Sequence, residues 1–218
     1  MVKKLYGLAG CILSISYTLT TSVDDVVVAN PIESCDSVGD VIEQMIRDFI
    51  HKTCGNMVCK GPPNQSPDIF VLSPLKFLPG MVVRFVEVKA FTKTPGFDIG
   101  NFDSYCDALA EEGGVKKKLF ETVYLIVEYE CLPDSTFKIK DVQTKYVWQL
   151  PSYDLKYPIT LQVKRGVVYN IRPGVKSSWD CKTKTPKRFI QKIEDTMKLY
   201  NHSTEKIKSI KDQFQQLQ

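Results

Sequence analysis

The sequence predicts a mixed α/β (α+β) fold, and two observations carry that prediction. Short runs rich in β-branched and aromatic residues, at 69–72, 82–91 and 122–129, suit a pleated surface better than a helix. Longer stretches opening near residues 37, 98 and 186 carry helix signals, either an apolar face or the Pro and Gly punctuation of helix ends. With 218 residues and 43% hydrophobic content the chain can enclose one large core, so a single domain over 1–218 is expected.

Taken in order, Lys3-Lys4 and the apolar run that follows imitate a lipoprotein signal, but the stretch before a cleavage at Cys11 is too short. The run contains Gly and Ser and stops short of a bilayer's thickness, so it reads as a buried helix or strand, with a later-cleaved secretory signal as the alternative. Ser37-Val38-Gly39 opens a helix with Val41, Ile42, Met45, Ile46, Phe49 and Ile50 on one side. Residues 56–66 read as loop around Gly61-Pro62-Pro63-Asn64. The run 69–72, bounded by Pro67 and Ser73-Pro74, and the run 82–91 form two neighbouring strands of a hairpin-like unit. Residues 98–112 read as a helix that follows the Pro95-Gly96 turn and stops at Gly113-Gly114. The strand at 122–129 has an unbroken apolar centre, which predicts burial on both faces. Residues 136–150 read as one or two antiparallel strands, and 159–172 as strands split by Gly166. The stretch 186–217 reads as helical, with a break near Asn201-His202-Ser203. Its stripe Ile207, Ile210, Phe214 and Leu217 suits either the core or a dimer partner.

The chemistry concentrates in the hairpin-like unit. A period of two puts Val83, Phe85, Glu87, Lys89 and Phe91 on one face, so a carboxylate and an ammonium point the same way from an apolar strand. Such a pair is expensive to desolvate unless its members neutralise each other or hold a metal ion. Asp68, after Pro67 and with eighteen residues between it and Glu87, supplies a second carboxylate. Asp68 and Glu87 suit Mg²⁺, while Lys89 would orient a nucleophile or offset developing charge, an arrangement for phosphodiester hydrolysis. A structural ion pair is the competing reading. A second match, Pro133-Asp134 with Asp154-Leu155-Lys156, fails on context because Pro151 and Pro158 argue for a loop or edge.

Pro67-Asp68, Glu87-Val88-Lys89 and two longer segments, 95–105 from Pro95-Gly96-Phe97-Asp98 and 162–173 from Gln162-Val163-Lys164-Arg165, together resemble type II restriction endonucleases of the NgoBV type. These belong to the PD-(D/E)xK nuclease superfamily, and the resemblance runs from about residue 37 to about residue 200 in matching order. It implies a restriction-endonuclease-like core, a central mixed β-sheet flanked by helices, in a homodimeric, Mg²⁺-dependent enzyme that cuts double-stranded DNA at a short palindrome of the GGNNCC kind. It also implies a cognate DNA methyltransferase acting on the same site. In many nucleases of that superfamily the helix before the Pro-Asp strand carries a further carboxylate facing the metal, which puts Glu43 forward beside its plain reading as an exposed helix residue. Residues 1–34 and 201–218 resemble nothing comparable and are expected to be family-specific extensions.

A net charge of +4 is only mildly basic, so affinity for a polyanion has to come from local clusters such as Lys116-Lys117-Lys118 and Lys164-Arg165. Seven cysteines without a CxxC pair suggest free thiols in the cytoplasm, and no membrane association is expected. Cys54 and Cys59 near His51 make a poor zinc site, because only Cys35 is close enough to add a ligand. Two histidines leave little room for His-based nuclease mechanisms. For base reading the candidates are Lys93, Asp98, Asn101 and Asp103, which follow the motif strand, and Lys164, Arg165, Asn170 and Arg172, with helix capping as the alternative role for Asp98 and Asn101. Two other functions fit the same residues in part: a structure-specific or repair nuclease, and a DNA-binding module without catalysis.

Overall fold

The computed structural model describes residues 38–54, 58–62, 66–78, 81–132, 137–153 and 156–218. The apolar segment within 1–34, Pro63-Asn64 of the loop turn, and Pro133, Asp134 and Asp154 of the second Pro-Asp match lie outside the described residues. Within the chain read as one domain, two compact units are distinguished, Met1–Lys93 with Glu121–Lys145, and Thr94–Phe120 with Tyr146–Gln218.

The first unit is a five-stranded sheet in the order β1-β2-β3-β5-β6. Its strands are β1 (Val58–Lys60), β2 (Ile69–Leu78), β3 (Met81–Phe91), β5 (Thr122–Cys131) and β6 (Phe137–Lys145). Strands β1, β2 and β3 run antiparallel, β3 and β5 parallel, and β5 and β6 antiparallel, which makes the sheet mixed. From Thr122 to Val127 every residue of β5 is buried, as its apolar centre requires. Helix α1 (Val38–Cys54) lays Ile42, Ile46 and Ile50 against the sheet, each worth about 1.5–3 kcal/mol of transfer free energy. Strand β2 is longer than the expected 69–72: it runs through Ser73-Pro74, and its register with β3 shifts between Phe70 and Leu75. A proline lacks a ladder N–H, and a bulge is where a strand tolerates that loss.

The second unit holds a three-stranded sheet, β4-β8-β7, built from β4 (Gly100–Asn101), β7 (Leu161–Lys164) and β8 (Val167–Ile171). Strands β7 and β8 pair Lys164 with Val167 across Arg165-Gly166, whose φ values of 53° and 81° are those of a tight hairpin turn. Helix α2 (Phe102–Ala110) starts later than the expected residue 98, because Gly100 and Asn101 are taken up as a strand against Ile171 and Asn170. Helices α3 (Pro186–Leu199) and α4 (Thr204–Gln216) flank Asn201 (φ 58°), the break expected there. Ile207, Ile210 and Phe214 are buried within this unit, whereas Leu217 is 40% exposed. Most of the stripe therefore serves the core. Cys59, Cys106 and Cys181 are free thiols, but Cys131 is disulfide-bonded, a departure from the expectation of free thiols throughout. Among the described residues no helix is long and apolar enough to cross a membrane.

Candidate active site and nucleic-acid interface

The register of β2 and β3 builds the site. Ile69 pairs with Val86, so one further step along the antiparallel ladder sets Asp68 opposite Glu87. Both carboxylates are buried, at 6% exposure each, and Lys89 follows two positions along β3 on the same face. The Asp68 Oδ2 accepts the Val88 N–H at 2.7 Å, and Oδ1 faces the Arg47 guanidinium at 3.1 Å. The Ser66 hydroxyl donates to Glu87 Oε1. From α1, Glu43 Oε1 lies 3.9 Å from Lys89 Nζ. One turn of helix separates Glu43 from Arg47, so the same helical face presents an acid to the strand lysine and a base to the strand aspartate. Asp68, Glu87, Lys89 and Glu43 are thus brought together, with charges that alternate rather than accumulate.

Gly61 holds the backbone of this junction. Its N–H donates to the Asp68 carbonyl at 2.7 Å, continuing the β1–β2 ladder beyond Lys60. A Cβ at Gly61 would overlap the Pro67 carbonyl, whose carbon would be 2.9 Å away. Only glycine permits this approach. The sheet register also continues Glu87 to Tyr124 and on to Lys145, a buried lysine in the same row. Sequence reading missed Arg47, Ser66, Gly61 and Lys145. Arg47 alone carried a signal, its i,i+4 spacing from Glu43.

As a donor set, two opposed buried carboxylates suit a hard divalent cation, which takes oxygen ligands. Among the described residues no three His, Cys, Asp or Glu side chains close into one ligand cluster, and Glu43 lies beside Lys89. Such an open pair matches Mg²⁺ better than Zn²⁺, because Mg²⁺ keeps several waters and needs only one or two protein carboxylates.

The two groups of base-reading candidates meet in the second unit, except Lys93, which is exposed at the end of the first. Asn101 pairs with Asn170 between β4 and β8. Its side chain accepts the Ser104 N–H at 3.1 Å as the cap of α2 and donates to the Tyr169 carbonyl at 2.8 Å. Asn170 is buried and donates to Gln162 at 3.2 Å. Arg172 pairs with Asp98 at 2.9 Å and also donates to the Gly96 carbonyl, and Asp103 lies 3.2 Å from His202 Nε2. The capping role expected for Asp98 therefore falls to Asn101 alone. Lys164 and Arg165 are exposed at the β7–β8 turn, with Lys164 Nζ 4.4 Å from the centre of the exposed Tyr169 ring.

A mixed sheet with an opposed carboxylate pair and a lysine nearby brings together groups suited to metal-assisted hydrolysis, and the fold is that of the restriction endonucleases. A solved structure of the NlaIV restriction endonuclease matches with a TM-score of 0.68 at 25% identity, over 94% of this chain and 87% of that one. The chain belongs to the NgoBV restriction endonuclease family, whose match covers residues 4–217 and so takes in most of both ends that the sequence resemblance left out. It is also 31% identical over 168 residues to the type II restriction enzyme NlaIV of Neisseria lactamica, an alignment covering 74% of this chain and 65% of that relative's length.

Proposed function

We propose that the protein is a type II site-specific deoxyribonuclease of the PD-(D/E)xK superfamily. Acting as a homodimer in the cytoplasm, it hydrolyses phosphodiester bonds of double-stranded DNA at a short palindrome, of the GGNNCC kind, in a restriction–modification system whose methyltransferase protects the same site. The observation that carries this reading is the pair of buried carboxylates, Asp68 opposite Glu87, with Lys89 on the same face, in a chain of the NgoBV family.

Asp68 and Glu87 are the ligands for Mg²⁺, with Glu43 as the third carboxylate of the site, placed to act on Lys89. When bound there, Mg²⁺ supplies Lewis acidity toward a phosphoryl oxygen and lowers the pKa of water. Ser66 and the Val88 N–H fix the rotamers of the two carboxylates, so their oxygens are oriented before substrate arrives. Lys89 donates hydrogen bonds to the attacking water or the scissile phosphate and offsets the charge that develops there. The β7–β8 turn offers Lys164 and Arg165 to DNA. Arg172, Asp98, Asn101 and Asn170 build the sheet that holds this hairpin, and Lys93 and Asp103 stay candidates for contacts through their exposure.

The test is incubation of the purified protein with unmethylated DNA and Mg²⁺, followed by sequencing of the fragment ends. Discrete fragments sharing one palindrome are expected. Random ends would point to a repair-type nuclease, and absence of cutting to a binding module. Glu87→Ala is expected to abolish cleavage while DNA binding persists, and undiminished activity in that variant would remove Glu87 from the site.

A further inference from the structure

We infer that Arg47 is a positioning residue that competes with the divalent cation for Asp68, and so sets how tightly the DNA-free enzyme holds its metal. The inference rests on the proposed metal site. Arg47 Nη2 lies 3.1 Å from Asp68 Oδ1, while the other Asp68 oxygen is already engaged by the Val88 N–H at 2.7 Å. A cation entering at Asp68 must therefore share a carboxylate with a guanidinium only a few ångströms away, where like charges repel strongly even at the effective dielectric of a protein surface. The guanidinium cannot shed its charge in response, since arginine stays protonated throughout the accessible pH range.

Lys89 and the buried Lys145 of the same sheet row as Glu87 already place positive charge beside the carboxylate pair, and Arg47 adds directly at Asp68 to the repulsion that an incoming cation meets. The buried Arg47 Nε has no hydrogen-bond partner, so the pairing of this guanidinium rests on its contact with Asp68, the group a cation would claim.

The experiment measures Mn²⁺ binding to the full-length protein without DNA, by isothermal titration calorimetry, alongside the melting temperature of the metal-free form. Arg47→Gln is expected to lower the metal-free melting temperature, because Asp68 loses its buried partner, and at the same time to tighten Mn²⁺ binding by about tenfold. A clamp with a purely structural role predicts the first change without the second. Unchanged or weaker Mn²⁺ binding in Arg47→Gln overturns the inference. If that variant does not fold, Arg47→Met carries the test: its unbranched side chain keeps much of the packing and removes the charge, so affinity must rise, and no rise refutes the competition. Glu87→Gln serves as the control for the underlying site. If it leaves wild-type Mn²⁺ binding unaltered, the metal site itself is misplaced, an outcome distinct from failure of the Arg47 variants.

Discussion

Replacing Gly61 with alanine tests whether backbone contact across β1 and β2 sets the position of Asp68. The added Cβ would lie 2.9 Å from the Pro67 carbonyl carbon, 3.1 Å from the Asp68 oxygen and nearer still to the Pro67 oxygen. Non-bonded heavy atoms are comfortable at about 3.2–3.5 Å, so relieving the overlap with the Pro67 oxygen, the tightest of the three contacts, parts the strands by more than ~1 Å, and the 2.7 Å bond from Gly61 N–H to the Asp68 carbonyl is stretched or lost. Overpacking of this sort costs about 1–3 kcal/mol, and for a chain of this size each kcal/mol lowers Tm by roughly 2–4 °C. The chemical effect is larger, because a misplacement of about 1 Å in a catalytic group costs on the order of 10²-fold in rate. The expected result is therefore a folded protein, melting several degrees early, whose single-turnover cleavage of plasmid DNA is slowed by about 100-fold. Measuring both rate and melting curve separates this from simple unfolding, since the rate is taken well below the transition. A folded Gly61→Ala protein that cuts at the wild-type rate would refute the idea that this close approach positions Asp68.

Lys164→Ala and Arg165→Ala are each expected to weaken DNA binding with little change in Tm, and to reduce the magnitude of the slope of log K against log salt by about 1 if each meets a phosphate. An unaltered slope in both would exclude phosphate contact at the hairpin. Glu194, buried and bonded to Lys198 at 2.7 Å and Lys211 at 3.4 Å, has its carboxyl pKa lowered, chiefly by the Lys198 hydrogen bond. A depressed folded pKa stabilises the protein above the ordinary carboxyl value and loses that contribution as pH falls through the folded pKa, so Glu194→Gln should flatten the acid side of a stability–pH profile. An equally steep acid limb in the variant would show that other carboxylates dominate. If the enzyme is a concerted dimer on a palindrome, excess Lys89→Ala subunits mixed with wild type should turn double-strand cuts into nicks, since each mixed dimer keeps one working site. Double-strand cleavage that merely falls in proportion to the wild-type fraction would favour a monomer making sequential cuts.

What could be read from the sequence divides along a physical line. Strand β3 was legible because alternation and β-branched content belong to the segment itself, and with it came the shared face of Glu87 and Lys89. The partners that hold those groups were not legible, because they depend on pairings between distant segments. Gly61 matters only once β1 lies against Pro67-Asp68, and Arg47 only once α1 crosses the sheet with its Glu43 face toward Lys89. The late start of α2 has the same origin, since Gly100 and Asn101 look like a helix start until β8 claims them. That pairing also accounts for a pattern visible in the sequence but unexplained by it, the joint resemblance of segments 95–105 and 162–173 to one family. Asn101 bonds the Tyr169 carbonyl, Arg172 bonds Asp98 and the Gly96 carbonyl, and Ile171 accepts the Ile99 N–H at 3.0 Å, so the two segments form one hydrogen-bonded structure. A change at Asn101 or Arg172 removes these bonds, and because the Tyr169 and Gly96 carbonyls and Asp98 are largely exposed, each loss costs about 0–1 kcal/mol, felt mainly as a looser hold of one segment on the other. The hairpin that presents Lys164 and Arg165 therefore depends on residues some sixty positions earlier, which is why the two segments have to be kept together.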